Sequence, residues 1–371
     1  MFFGVSQAQV EYLEIPSPRY NEPRKIKLQL PRSYNSNTKK TYPLIVVLDG
    51  NYLFEPVAGN VDYFSYWEDM PEAIVVGVVH DNRQEDTKYS PDTHLPIEEG
   101  AAFFEFVGLD LYAYISENYR ISNFNMVVGH DITANFANYY LLKDNPLFNA
   151  YISLSPDLVE EMPEWLTINI GNSESKIFYY QATASGDLGN LKKGIEALNT
   201  RLKSLDKPNF KYYFENLEGA NHYTLATRAI PRALENIFSV FKPITREEYQ
   251  DVILNLDGSA YDYLEEKYKT IEDLFELRET IRVNDFLAIS QALEKKSNWE
   301  DLLKLGKLAQ DEYPGANLGY YYIGLAQEGL GEKKKALKTY ESAYPMNEIG
   351  GISEDLLQMR ASRLKRALGY D

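Results

Sequence analysis

The chain has 371 residues, 44% of them hydrophobic and 25% charged, with no cysteine and a formal net charge of −17. This composition suits a globular protein with one large α/β domain and a smaller second one. It excludes disulfides and thiol chemistry, and it argues against nucleic acid or an anionic membrane surface, both of which need clustered Lys and Arg; a cationic or neutral partner fits better.

At the N-terminus, Phe2-Phe3-Gly4-Val5 followed by Ser6-Gln7-Ala8-Gln9 resembles the tail of a signal peptide with a small-x-small cleavage site after Ala8, although a basic n-region is missing. Residues 1–9 are therefore expected to be a leader remnant, and the protein to be periplasmic or secreted. No apolar run approaches the ~18 to 20 residues of a membrane span.

Residues 25–30 alternate with period two, which predicts a half-exposed antiparallel edge strand. Segments 44–48, 73–79 and 126–128 are continuous aliphatic runs, as central strands covered on both faces should be. Helical patterns fall at 101–119, 132–142, 191–205 and 223–241, with further strands at 151–154, 177–180 and 210–214. The alternation predicts an α/β fold, a doubly wound and mostly parallel sheet with helices on both faces. In such sheets function collects at the carboxyl ends of the strands.

One strand end stands out. Met126-Val127-Val128-Gly129-His130-Asp131-Ile132-Thr133-Ala134 reads as a buried strand running through a tight turn into a helix, the setting of a G-x-S-x-G nucleophile elbow. Aspartate replaces the serine, and Thr133 replaces the second glycine, placing a branched side chain in a turn that usually has none. On its own terms Asp131 can also cap the following helix, and Asp tolerates a positive φ better than most residues.

Past Pro243 only helical patterns remain, which sets the boundary between domains at 10–242 and 243–371; Thr245 and Glu248 give a capping-box-like start. Leu302, Gly306, Ala309 and Pro314 recur 34 residues later as Ala336, Tyr340, Ala343 and Glu348, the period of tetratricopeptide repeats. Residues 286–313 form the first copy, the second runs from Ile323-Gly324 to Ala343, and 354–368 reads as a capping helix. Two copies are fewer than the ~3 a free-standing array needs, so this TPR-like module should lean on the first domain or on another chain, with a peptide groove or homodimer contact as its functional use.

Several segments in order carry a family resemblance: Leu48-Asp49-Gly50-Asn51-Tyr52-Leu53-Phe54; Val76-Gly77-Val78 leading to Asn82-Arg83, Asp86 and Pro91; Gly129-His130-Asp131; and Leu147-Phe148-Asn149-Ala150 through Ser155-Pro156. Over residues 10–242 the chain resembles the Putative esterase family of α/β-hydrolases, which includes enterochelin esterases and esterase D. The resemblance implies the nucleophile position at Asp131, the general base at His222 and an acid between them, with Asp187 better placed than Glu174. It implies oxyanion donors from the backbone of Ile132 and of the loop at Gly50 and Asn51, with His130 shaping the cleft. Arg83 and Asp86 match the family's R-x-x-D segment at the rim, as an intraloop ion pair or a substrate contact.

Attack by a carboxylate on an ester would give an anhydride, and its charge would compete with the developing oxyanion. Serine-type ester hydrolysis is therefore expected to be lost or impaired. The alternative is attack by Asp131 on an sp3 carbon, as in epoxide hydrolases and haloalkane dehalogenases, with His222 serving the hydrolysis of the resulting ester. His80 and His94 read as solvated loop histidines, and Ser153 and Ser155 as turn residues. No metal site or cofactor is indicated. The expected ligand is a small ester-like molecule, or a protein or peptide bound through the helical module.

Overall fold

The computed structural model describes residues 10–370, so the leader reading of residues 1–9 lies outside the described residues. The chain forms two compact units. The first ends at Phe241 and also takes in Leu274–Leu277; the second comprises Lys242–Asp273 and the chain from Arg278 onward. The return of four residues to the first unit was not legible from the boundary at Pro243.

Eight strands form one sheet: β1 Val10–Ile15, β2 Arg24–Gln29, β3 Tyr42–Val47, β4 Ile74–Val78, β5 Ile121–His130, β6 Ala150–Leu154, β7 Ile177–Gly186 and β8 Phe210–Asn221. Their order is β1-β2-β4-β3-β5-β6-β7-β8, antiparallel at β1-β2 and β2-β4 and parallel throughout the rest. The aliphatic runs lie in β3, β4 and β5, whose buried positions have helices on both sides. The segment at 25–30 is not an edge strand. Val10–Ile15 pairs outside it, and β2 is buried at five of its six positions, its Lys27 being drawn to Glu55 (2.5 Å) rather than to solvent. Polar residues that find buried partners thus imitated the alternation of an exposed face.

The helix expected at 101–119 is a continuous run from Glu98 to Asn118 with a π-helical turn at Phe106–Leu111. Helices Phe54–Tyr66 and Met162–Asn172 add to those legible in the sequence. Among the described residues, no helix is long and apolar enough to cross a membrane.

Phe275, wholly buried, lies within 5.1–5.9 Å of the rings of Phe238, Phe124 and Phe178, all in the first unit. Phe275→Ala should cost about 3–5 kcal/mol of that unit's stability, read as a lower urea midpoint.

In the second unit, helices Val283–Lys295, Trp299–Glu312, Leu318–Gly329, Lys333–Ser342 and Glu354–Leu368 each pack on the next. The buried Asp285 carboxylate accepts the Ile244 N–H and the Tyr268 hydroxyl, each at 2.8 Å, and so fixes where this unit begins. Thr245 Oγ1 accepts the Glu248 N–H at 3.1 Å, half of the expected capping box.

Candidate active site

The parallel strands deliver one group of polar residues to their carboxyl ends: Asp49 to Tyr52 after β3, Arg83 beyond β4, Asp131 after β5, Ser155 and Asp157 after β6, Asp187 after β7 and His222 after β8. Asp131 is the turn itself, at φ 60° and ψ −122°, a conformation that L-residues rarely adopt. The strain is held from several sides. The Asp131 N–H donates to Leu154 O (3.0 Å), and a Cβ on Gly129 would come within 2.6 Å of the Thr133 carbonyl oxygen, so strand and helix can pass this closely only at glycine.

Thr133 does not crowd the elbow, contrary to the expectation from its branched side chain. It is fully buried; its hydroxyl accepts the His130 N–H at 2.9 Å and donates to the Asp49 carboxylate. A second glycine would leave that carboxylate one donor short.

Arg83 governs the Asp131 side chain. Its guanidinium donates to both oxygens of Asp49 (2.6 and 3.2 Å), to the His130 carbonyl (2.6 Å) and to Asp131 Oδ2 (3.1 Å). Asp49 is wholly buried, whereas the Arg83 and Asp131 side chains are about a quarter exposed. The Asp131 carboxylate neither caps its helix nor bonds His222; its ion pair is with Arg83. The helix-cap expectation is thereby corrected, because a guanidinium offers charge where the helix N–H groups offer only partial charge. Arg83 does not pair with Asp86 either. Asp86 is buried beneath the rim, held by Arg24 (2.5 and 3.0 Å) and by His80 Nδ1 (2.7 Å), so His80 is a structural group and not a solvated one. His94 pairs with Glu161 at 2.5 Å.

Asp187 and His222 are brought together. His222 Nδ1–H reaches Asp187 Oδ1 and Ser155 Oγ, each at 3.0 Å; Ser155 Oγ donates to Asp187 Oδ2 (2.6 Å), as does Thr183 (2.7 Å), and the Leu188 N–H donates to Oδ1 (2.9 Å). Burial alone would raise the Asp187 pKa, but these donors outweigh it and hold the carboxyl below its ordinary range. The anion in turn fixes His222 with its proton on Nδ1. Ser155, read from sequence as a turn residue, is wholly buried at φ 44° and belongs to this network. Nothing in its local sequence announces that.

His130 lies behind His222, with ring centroids 4.6 Å apart. Its Nε2–H donates to the His222 carbonyl (3.0 Å) and its Nδ1 accepts from the Tyr52 hydroxyl (2.9 Å), so the ring is neutral and pins the His222 backbone. Burial, then proximity to His222, lowers its pKa. The unfolded chain therefore takes up this proton first, and stability should fall as pH drops below about 6.5, with a second loss below about 4 as the depressed Asp86 and Asp187 are protonated. His130→Gln should flatten the first step alone in pH-dependent urea unfolding.

The Ile132 N–H has no hydrogen-bond partner among the described residues, nor does that of Asn51. Gly50 cannot serve as an oxyanion donor, because its N–H already donates to Val78 O (2.8 Å). Its part is close approach, since a Cβ there would come within 2.6 Å of that same oxygen. The Asn51 side chain brackets the backbone of His80, donating to its carbonyl (3.1 Å) and accepting its N–H (2.8 Å).

The strand order and the turn after β5 define an α/β-hydrolase fold. Residues 17–187 match the family described as Putative esterase. An uncharacterised protein from Capnocytophaga ochracea is 32% identical, with 96% of this chain and 100% of that chain covered and a TM-score of 0.88. An IroE-like serine hydrolase from Shewanella oneidensis shares the fold at 19% identity, 82% and 99% coverage and a TM-score of 0.61. The BES protein from Bacillus cereus does so at 21%, 64% and 95%, with a TM-score of 0.53. A search of curated proteins found no match. The first unit thus has the α/β-hydrolase fold, and its residues 17–187 are similar to the Putative esterase family.

Proposed function

We propose that this protein is a member of an esterase family whose elbow no longer performs acyl transfer, and that its cleft serves as a binding site. The observation that carries this reading is the Arg83–Asp131 ion pair: the carboxylate at the nucleophile position is engaged by a guanidinium that also neutralises buried Asp49, and it makes no hydrogen bond to His222. A carboxylate so held is a weaker nucleophile, and its charge opposes an oxyanion at the Ile132 N–H.

The second reading, a hydrolase acting on epoxides or haloalkanes through Asp131, draws on the retained Asp187–His222 pair. The two separate in one assay of p-nitrophenyl butyrate, styrene oxide and 1-bromobutane. The natural chain is expected to turn over none of them above the level of Asp131→Ala. Epoxide or halide turnover lost in Asp131→Ala would replace the first reading with the second.

For the second unit we propose a tetratricopeptide-like module that binds a peptide or a second copy of the chain. The 34-residue repeat supports it, together with the successive packed helices and the close seating of Gly324 against the Tyr340 ring. A periplasmic or secreted location remains a proposal from residues 1–9.

A further inference from the structure

Apart from the residues at the strand ends, a cavity of about 260 Å³ lies between the loop before Glu98, the helical run that starts there and the helix Ile132–Leu141. Its wall is mostly apolar, formed by Leu95, Pro96, Phe104, Tyr139 and Leu142. The wall is also preformed. The Phe104 ring stacks on Tyr140 with centroids 4.3 Å apart, and the buried Tyr139 commits its hydroxyl to the His94 carbonyl (2.5 Å), so that what it offers the cavity is its ring. The Ser90 N–H donates to Leu95 O (2.9 Å) and Tyr89 bridges to Pro96, which closes the loop and holds Leu95 out at 47% exposure. A ligand would remove this apolar surface from water at little cost in ordering.

The charges decide which kind of ligand. Glu105 and Lys143 complete the wall, and Glu105 is already paired with Arg19 at 2.7 Å. Lys143 has no acidic partner among the described residues, not even its chain neighbour Asp144, although acids outnumber bases 55 to 38 in this chain. Its ammonium lies 5.1 Å from the centroid of the Phe104 ring, the cavity's own aromatic wall. The cavity thus offers apolar contact and one uncompensated positive charge. Its volume is just under the ~300 Å³ at which ordinary ligand pockets begin, so the ligand is short.

We infer that this cavity is a binding site for a small apolar monocarboxylate, its hydrocarbon body against Leu95, Phe104 and Tyr139 and its carboxylate on the Lys143 ammonium. None of these residues belongs to the Asp131–His222 group, so the inference stands or falls apart from the reading of the elbow.

The test titrates the full chain calorimetrically with 4-phenylbutyrate and, at matched ionic strength, with 4-phenyl-1-butanol and 4-phenylbutylammonium, three probes with one hydrocarbon body. The carboxylate should bind saturably and about fivefold more tightly than the alcohol, the ratio expected of one exposed ion pair, with the ammonium weakest. Lys143→Met, a change at an exposed position, should erase the difference between carboxylate and alcohol and leave the Kd of the alcohol unchanged. Ala101→Leu, which fills the cavity from its helical wall, should weaken the carboxylate and the alcohol alike. No saturable binding of 4-phenylbutyrate, equal affinity for the alcohol in the natural chain, a carboxylate preference that survives Lys143→Met, or undiminished binding in Ala101→Leu would overturn the proposal.

Discussion

Replacing Asp131 by serine should create esterase activity that, on the proposed reading, the natural chain does not have. Serine at φ 60° and ψ −122° would present its hydroxyl from the same turn, the unpaired Ile132 N–H would face the developing oxyanion, and His222 would have its proton already on Nδ1 through Asp187. The substitution also removes the charge that competes with the oxyanion and leaves Arg83 with Asp49 as its ion-pair partner. A complete nucleophile and base contribute far more than an oxyanion site alone, so kcat/KM toward p-nitrophenyl butyrate should rise by about three orders of magnitude over the natural chain. The gain should vanish in the Asp131→Ser/His222→Ala double variant. A gain that survives loss of His222 would mean the dyad is not the base.

Removing Arg83 should cost more stability than any other substitution near the cleft. Asp49 is wholly buried, and Arg83 is its only ion-pair partner among the described residues. Arg83→Met leaves that carboxylate with the Thr133 hydroxyl but no cation, and such uncompensated burial costs about 3–5 kcal/mol. Urea unfolding should show a lower midpoint at unchanged slope, and Asp49→Asn in the same chain should restore much of the loss. A loss under about 1 kcal/mol would mean that solvent reaches Asp49 and the clamp is weak.

The sheet was legible because unbroken aliphatic runs such as Leu44 to Leu48 and Met126 to Val128 have no other stable place than a strand covered on both faces. The elbow was legible because Gly129 and the abrupt change of period around Asp131 are local signals. Asp187 and His222 were implied by the family resemblance, in the chain order that this fold expects. Partners were not legible, since pairing across the strand ends is a property of the folded sheet. Arg83 and Asp86 sit three residues apart, yet one turns to Asp49 and Asp131 and the other to Arg24 and His80. Ser155 reaches Asp187 across 32 residues and only through a positive φ that its sequence does not advertise. Phe275, in a helical stretch of the tail, joins the core of the first unit for the same reason: an apolar helix face does not say what it packs against.

The proposed loss of acyl transfer at Asp131 is tested most directly by steady-state hydrolysis of p-nitrophenyl acetate by the unmodified chain beside its His222→Ala variant, each purified from a host lacking background esterase. Identical rates, no higher than those of the buffer with an inert protein, are the predicted result. Turnover by the unmodified chain that disappears with His222 would contradict it, because the carboxylate held by Arg83 would then have to be working as a nucleophile.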